Sequence, residues 1–208
     1  MKVRVHVAIL ALAALAPLVA QTPQGWKVRV DRSTAASDPD GSGEIKFVTM
    51  GSGFHATNPQ AAVYWNPANK AVGTYTLKGT FTLMKPSGHT NYYGLVLGGS
   101  GLEGAQQSYL YFVVAQNGTW LIKRRDGEAT SNVSPKTAND AVKKPDASGK
   151  STNALEVRVG ADKIDFVVNG EIVHTEPKSG VAAKTDGIYG IRVNHLLEVQ
   201  VDGLAVSK

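Results

Sequence analysis

Hydrophobic and polar residues alternate along most of this chain with a period of two. Residues 74–84 show it best: Tyr75, Leu77, Gly79, Phe81 and Leu83 fall on one face, and Thr74, Thr76, Lys78, Thr80 and Thr82 on the other. Alternation of this kind places successive side chains on opposite faces of a β-strand. Shorter segments of the same character predict strands at residues 26–30, 44–50, 61–65, 92–97, 108–115, 119–125, 154–159, 163–169, 171–175, 188–194 and 196–206. Past the first twenty residues no segment carries the period of an amphipathic helix. The punctuation agrees. Asn169-Gly170 and Gln116-Asn117-Gly118 supply the positive φ angles of tight hairpins, and Gly160-Ala161-Asp162 joins a third pair. Strands spaced about 8–12 residues apart predict an all-β fold, a two-sheet antiparallel sandwich. Its even texture predicts a single domain over residues 21–208. One stretch breaks the pattern. Residues 126–153 are rich in Ser, Thr, Asn, Lys and Pro without apolar periodicity, which predicts a long polar surface loop.

The first twenty residues read as an address. Lys2 and Arg4 precede an apolar run over residues 7–19, and Ala20 offers a small residue before polar Gln21-Thr22-Pro23-Gln24. These are the parts of a secretory signal peptide. The apolar run falls short of the roughly 20 residues that span a bilayer. The expectation is therefore a protein exported to the periplasm or the extracellular space, with no spanning segment. Charge then reads differently. The chain carries 22 Lys and Arg against 17 Asp and Glu, a net +5, and losing Lys2 and Arg4 leaves 20 against 17. A surplus that small, without a concentrated basic stripe, argues against a nucleic-acid partner. The chain has no cysteine, which excludes disulfides, thiolate metal sites and a cysteine nucleophile.

The strands also carry a family likeness. Asn91-Tyr92-Tyr93-Gly94-Leu95-Val96-Leu97-Gly98-Gly99, Tyr109-Leu110-Tyr111-Phe112-Val113-Val114 and Leu121-Ile122-Lys123-Arg124-Arg125-Asp126-Gly127 resemble the middle strands of the concanavalin A-like lectin/glucanase jelly rolls. Asn153-Ala154-Leu155-Glu156-Val157, Ile164-Asp165-Phe166-Val167-Val168-Asn169-Gly170 and Asp186-Gly187-Ile188-Tyr189-Gly190-Ile191-Arg192-Val193 resemble their later and closing strands. Within that superfamily the pattern is most similar to the exported 3-keto-disaccharide-hydrolase-like and laminin-G-like domains. The resemblance implies a jelly-roll sandwich with a concave sheet face on which relatives bind or cleave carbohydrate. It does not extend to the Glu-x-Asp-x-(x)-Glu run of the catalytic glucanases. Asp126-Gly127-Glu128 comes nearest, but it lies at a turn and lacks a third acid. A retaining glycosidase needs two carboxylates about 5–5.5 Å apart, which that missing run would supply.

Candidate chemistry follows from strand faces. Tyr109 and Tyr111 share one face of their strand, and Lys123 and Arg125 share the matching face of its neighbour. A tyrosine presents a flat apolar body with a hydroxyl tip, and cations donate to sugar hydroxyls or carboxylates. The competing reading buries the tyrosines under a loop and leaves the cations solvated. Arg192 and Asn194 point from one face of a late strand and could join this set, and His195 is the best candidate for acid–base work. These three side chains could equally satisfy a turn's backbone. His55, His89 and His174 look isolated. Asp38, Asp40, Ser42 and Glu44 occupy odd positions of a loop with glycine at its sixth place, a weak calcium candidate that otherwise reads as a turn. No motif calls for a cofactor. The favoured function is an exported carbohydrate-binding module using the Tyr109/Tyr111/Lys123/Arg125 face together with Arg192 and Asn194. The alternatives are a hydrolase or lyase on a modified sugar, with His195 as its acid–base group, and a structural or interaction domain of the cell envelope.

Overall fold

A computed structural model describes residues 22–33 and 35–208, so the expected signal segment 1–20 lies outside the described residues. In chain order the strands are β1 (Lys27–Asp31), β2 (Lys46–Met50), β3 (Gly53–Asn58), β4 (Ala61–Ala71), β5 (Tyr75–Lys85), β6 (Tyr92–Ser100) and β7 (Ser108–Ala115). They continue with β8 (Thr119–Asp126), β9 (Ala129–Ala138), β10 (Ser151–Val159), β11 (Lys163–Val168), β12 (Glu171–Pro177), β13 (Gly187–Val193) and β14 (Leu197–Ser207). One short 3-10 turn, Gly180–Ala182, precedes β13. The strands form two seven-stranded sheets, ordered β1-β4-β13-β6-β7-β8-β9 and β12-β11-β10-β5-β14-β3-β2. Every pairing is antiparallel. This is the two-sheet jelly-roll sandwich that the alternation predicts.

The alternation decides which side chains meet between the sheets. Tyr75, Leu77, Phe81 and Leu83 of β5 are buried, while the threonines between them are not. Opposite them, the first sheet sends Tyr64, Tyr93, Leu95, Leu110, Phe112, Ile122 and Ile191 inward. Phe112 sits at the centre, 5.2 Å from the Phe166 ring and 6.3 Å from Trp120, both edge-on. The hairpins close as their residues require. Asn169 and Gly170 have φ of 50° and 91° and join β11 to β12, and Gly118, at φ 82°, joins β7 to β8.

Three departures from the pattern have physical causes. Residues 126–153, expected as a loop, contain strand β9, which pairs with β8 from Thr119↔Ala138 to Asp126↔Ala129. As an edge strand it is exposed on nearly all positions, so no apolar alternation marks it, and Pro135 is tolerated there. Within the remainder, Ala141 and Val142 turn back into the core, and Asn169 donates to the Ala141 carbonyl at 2.7 Å. Residues 53–58, too short and polar to signal themselves, pair with β14 as β3. Strand β4 runs on past residue 65 because its pairing with β13 is interrupted by a bulge, and Pro67 falls in that unpaired stretch.

A fourth departure concerns the first sheet's outward face. It is apolar as well. Val63, Trp65, Val96, Tyr109, Tyr111, Val113 and Leu121 form a separate cluster there, capped by Leu102 from the β6–β7 loop. That loop is tied to β1, where Lys27 pairs with Glu103 and Arg29 donates to the Gly104 carbonyl. The first sheet is therefore buried on both sides over its centre. Among the described residues, no helix is long and apolar enough to cross a membrane.

Two predictions follow from this packing. Phe112→Ala is expected to destabilise the fold by about 3–5 kcal/mol, read from the urea midpoint, because the site cannot collapse between two sheets. The second concerns Tyr64, Tyr75 and Tyr93, whose phenols are pushed up by burial. A raised folded pKa means the native state holds protons that the unfolded chain releases above about pH 10. Their contribution to stability is thus complete below that pH and declines above it. Urea midpoints measured from pH 8 to 11 should be level in their tyrosine contribution up to about pH 10 and then fall.

Candidate functional site

The outward face of the first sheet carries the charged groups as well as the second apolar cluster. Arg192, on β13, pairs across the sheet with Gly94 of β6, which pairs in turn with Val113 of β7. From there the guanidinium reaches past β6 to the tyrosines of β7. It donates to the Tyr109 hydroxyl at 3.0 Å and lies 5.4 Å from the centre of the Tyr111 ring, a cation–π distance. It also pairs with Asp31 at the end of β1, and Arg29 approaches the other Asp31 oxygen at 3.4 Å. Burial works against the Arg192 charge, but Tyr109, Asp31 and Tyr111 outweigh it and hold the guanidinium above its usual range. Burial likewise raises both tyrosine pKa values, against a lowering pull from Arg192. This cluster is built like an interior even though it lies outside the main core.

The sequence candidates sort themselves on this face. Tyr109 has no exposed surface and serves as an acceptor beneath Arg192. It does not face a ligand directly, as its strand position suggested, because the β6–β7 loop and β1 cover it. Tyr111 keeps 8% of its surface and lines a cavity of about 270 Å³ with Tyr92, Lys123, Arg192 and Asn194. Arg125, Arg192, Asn194 and His195 line a second cavity of about 310 Å³ together with Asp31 and Asp40. The two adjoin, since Asp38, Asn91, Arg192 and Asn194 belong to both. Tyr111, Lys123, Arg125, Arg192 and Asn194 are thus gathered along one groove. A roomier hollow of about 410 Å³ lies at the sheet edge beside Arg124 and Lys184, where Arg124 is already committed to the Lys184 carbonyl and Ser108.

At the end of the groove His195 sits in the turn between β13 and β14 and is 4% exposed. The following residue, Leu196, takes a left-handed φ of 58°. Its side chain fills the space where a Cβ on Gly41 would stand, only 2.6 Å away, so the loop of residues 38–43 is clamped onto this turn. The clamp delivers two carboxylates. His195 Nδ1–H donates to Asp40 Oδ1 at 3.0 Å, while Nε2 lies 3.1 Å from Asp38 Oδ1. Asp40 also accepts the Ser33 amide, and Asp38 gives its carbonyl to the Ser33 hydroxyl.

Two sequence expectations are corrected here. His89 is not isolated: its Nε2 lies 2.8 Å from Asp38 Oδ1, 3.2 Å from His195 Nε2 and 3.0 Å from the Asn91 amide nitrogen. Over a hundred residues separate the two histidines, so only the fold reveals the pair. The calcium reading of Asp38, Asp40, Ser42 and Glu44 also fails on geometry. Asp38 and Asp40 turn onto His195, Gln60 takes the Gly41 and Gly43 carbonyls, and Ser42 and Glu44 face solvent. Asp31, His89 and Asn91 are the members that sequence reasoning missed, while Asp38 and Asp40 were singled out only as calcium candidates. The other two histidines are placed apart, His55 against Glu198 and His174 against Glu176.

No family model and no curated protein matches the chain. Its likeness is to solved structures. A CBM66 carbohydrate binding module from Bacillus subtilis superposes over 88% of this chain and 96% of its own, with a TM-score of 0.62 at 10% identity. A GH16 protein of the Bacteroides ovatus mixed linkage glucan PUL, in complex with a G4G4G3G product, covers 91% and 97% with a TM-score of 0.58 at 9% identity. A Bacillus subtilis protein of unknown function with a galectin-like fold covers 87% and 88%, with a TM-score of 0.57 at 14% identity. The shared fold is a two-sheet jelly-roll sandwich. At these identities the likeness speaks for architecture, and the site has to be read from its own residues.

The buried Arg192–Asp31 pair makes a direct prediction. Removing one partner of such a pair strands the other charge, at a cost of about 3–5 kcal/mol. Asp31→Ala should therefore lower the urea midpoint by an amount in that range. An exposed pair such as Lys27–Glu103 should shift it by less than about 1 kcal/mol when Glu103→Ala is made.

Proposed function

We propose that this protein is an exported carbohydrate-binding β-sandwich, with its ligand seated in the groove on the outward face of the first sheet. The observation that carries this reading is the gathering of Lys123, Arg125, Arg192 and Asn194 along two adjoining cavities, one of them walled by the exposed edge of the largely buried Tyr111. Sugars are recognised by planar donors that reach pairs of hydroxyls and by an aromatic body against their C–H faces. Arg192 is held rigid by Asp31 and Tyr109, so it enters binding with little conformational entropy left to lose. Lys123 and Arg125 lie further out on β8, and they bias the groove toward sugars carrying a carboxylate. The carbohydrate-binding module and the glucan-complexed protein that share the fold support the class of ligand. The amino-terminal segment supports export, as its basic, apolar and small-residue regions are those of a signal peptide.

One observation favours a second reading, an enzyme on the same sugar class. His195 is oriented by Asp40 and opens on the groove beside Arg192 and Arg125, the arrangement of an acid–base group next to its substrate anchors. Binding remains the preferred reading, because a glucanase-like acid pair is missing from β8 and its neighbours.

Calorimetry of the mature protein against neutral and uronate-containing oligosaccharides tests the proposal. Arg125→Ala and Asn194→Ala should each weaken binding by tenfold or more, and Arg125→Ala should weaken the uronate oligosaccharide most. Absence of any binding at millimolar oligosaccharide would sink it. Product release that disappears in His195→Ala, with binding retained, would shift the assignment to the enzyme.

A further inference from the structure

Three electron-pair donors from three separate parts of the chain meet at one end of the groove. They are Asp38 Oδ1 from the loop before β2, His89 Nε2 from the loop before β6, and His195 Nε2 from the β13–β14 turn. Their mutual separations are 2.8, 3.1 and 3.2 Å. Among the described residues this is the group of histidine and carboxylate side chains whose ligand atoms converge closely enough to share an ion. We propose that Asp38, His89 and His195 form a binding site for a divalent first-row transition-metal ion of the zinc class, with Asp40 as the group that orients His195.

The argument starts from hydrogens. A carboxylate only accepts. With its Nδ1 hydrogen given to Asp40, His195 turns Nε2 toward Asp38 Oδ1 and His89 Nε2, where that nitrogen can ligate. His89 Nε2 faces both of those acceptors and also the Asn91 amide nitrogen, which only donates. A proton on His89 Nε2 would serve Asp38 and then oppose the Asn91 amide. A cation shared by the three converging atoms takes a lone pair from each, and it displaces the Asn91 amide just as a proton on His89 Nε2 would. The spacing fits. Donors at about 2.0–2.1 Å from a tetrahedral zinc lie about 3.3 Å apart, and tighter three-on-one-face arrangements bring them to about 3.0 Å.

The surroundings fit as well. An imidazole that binds metal through one nitrogen usually donates its other N–H to a carboxylate, which fixes tautomer and ring direction. Asp40 does this for His195, and Asp40 is itself held by the Ser33 amide. Two nitrogens and one oxygen suit zinc-class ions, whereas calcium wants six to eight oxygens. Access is open, since the His89 side chain is 44% exposed and Asp38 and His195 line the groove cavity. Three protein ligands leave coordination positions free for water or for a ligand's oxygen in that groove. The site does not depend on the carbohydrate reading, because its donors are assembled whether or not a sugar binds.

The test is a zinc titration of chelator-treated, tag-free mature protein without any sugar, followed by calorimetry. One zinc ion per chain with micromolar or tighter affinity is expected, and Co2+ should bring the visible absorption of a nitrogen- and oxygen-ligated site. His89→Ala and His195→Ala should each weaken zinc binding by at least 100-fold with an unchanged circular dichroism spectrum. Asp40→Asn should weaken it 10–100-fold through loss of orientation. His174→Ala, which removes the separate His174–Glu176 pair, should change nothing. Failure to bind one equivalent, or equal binding by the His195→Ala protein, would overturn the proposal and leave His195 as a hydrogen-bonding partner of Asp38 and Asp40. A protein that binds zinc but no oligosaccharide would uphold this site and remove only the carbohydrate reading.

Discussion

The contact between the inward faces of two seven-stranded sheets places everything else in the molecule. With no disulfide in the chain, that interface supplies the cross-sheet cohesion, from Tyr75, Leu77, Phe81 and Leu83 on one side to Leu95, Leu110, Phe112 and Ile122 on the other. Apolar burial is non-directional, but the pleat is not. Once alternate residues of β6, β7, β8 and β13 are drawn inward, the residues between them must face outward together. Arg192, Tyr109, Tyr111, Lys123 and Arg125 share a face for that reason alone.

That outward face would be an ordinary solvated sheet surface if it were left bare. It is instead partly roofed by β1 and by the loop that carries Leu102, and the roof changes the chemistry beneath. A guanidinium under such cover must be paired, and Asp31 at the end of β1 pairs it. The partly desolvated charge then becomes a rigid element of the groove floor. Where the roof ends, the loop of residues 38–43 takes over, and Leu196 packing against Gly41 sets Asp38 and Asp40 against His195. One covering segment thus organises both the arginine cluster and the histidine cluster.

The parts of this picture that could be read from the chain are those carried by short-range periodicity. The alternation in residues 74–84 names the buried face of β5 residue by residue, and Asn169-Gly170 marks the β11–β12 hairpin because few residues accept those φ angles. Legibility drops where a strand has no buried face. Residues 129–138 pair with β8 along its length yet are exposed almost throughout, so their polar composition looks like that of a loop. The grouping of Lys123, Arg125, Arg192 and Asn194 was legible from strand parity together with the expectation that the closing strand lies centrally. The burial of Tyr109 was not, since nothing local announces that a loop more than five residues upstream will cover it.

By itself the sequence determined an all-β sandwich, the inward and outward sets of most strands, and the absence of any cysteine chemistry. These depend on neighbours two residues apart, and such neighbours are visible in the chain. The tertiary structure alone decided that Asp38, His89 and His195 meet, that Asp31 neutralises Arg192, and that Tyr109 is an interior group. Each of those facts joins segments far apart in sequence through loops whose paths follow from sheet order, and sheet order is a property of the whole packed chain.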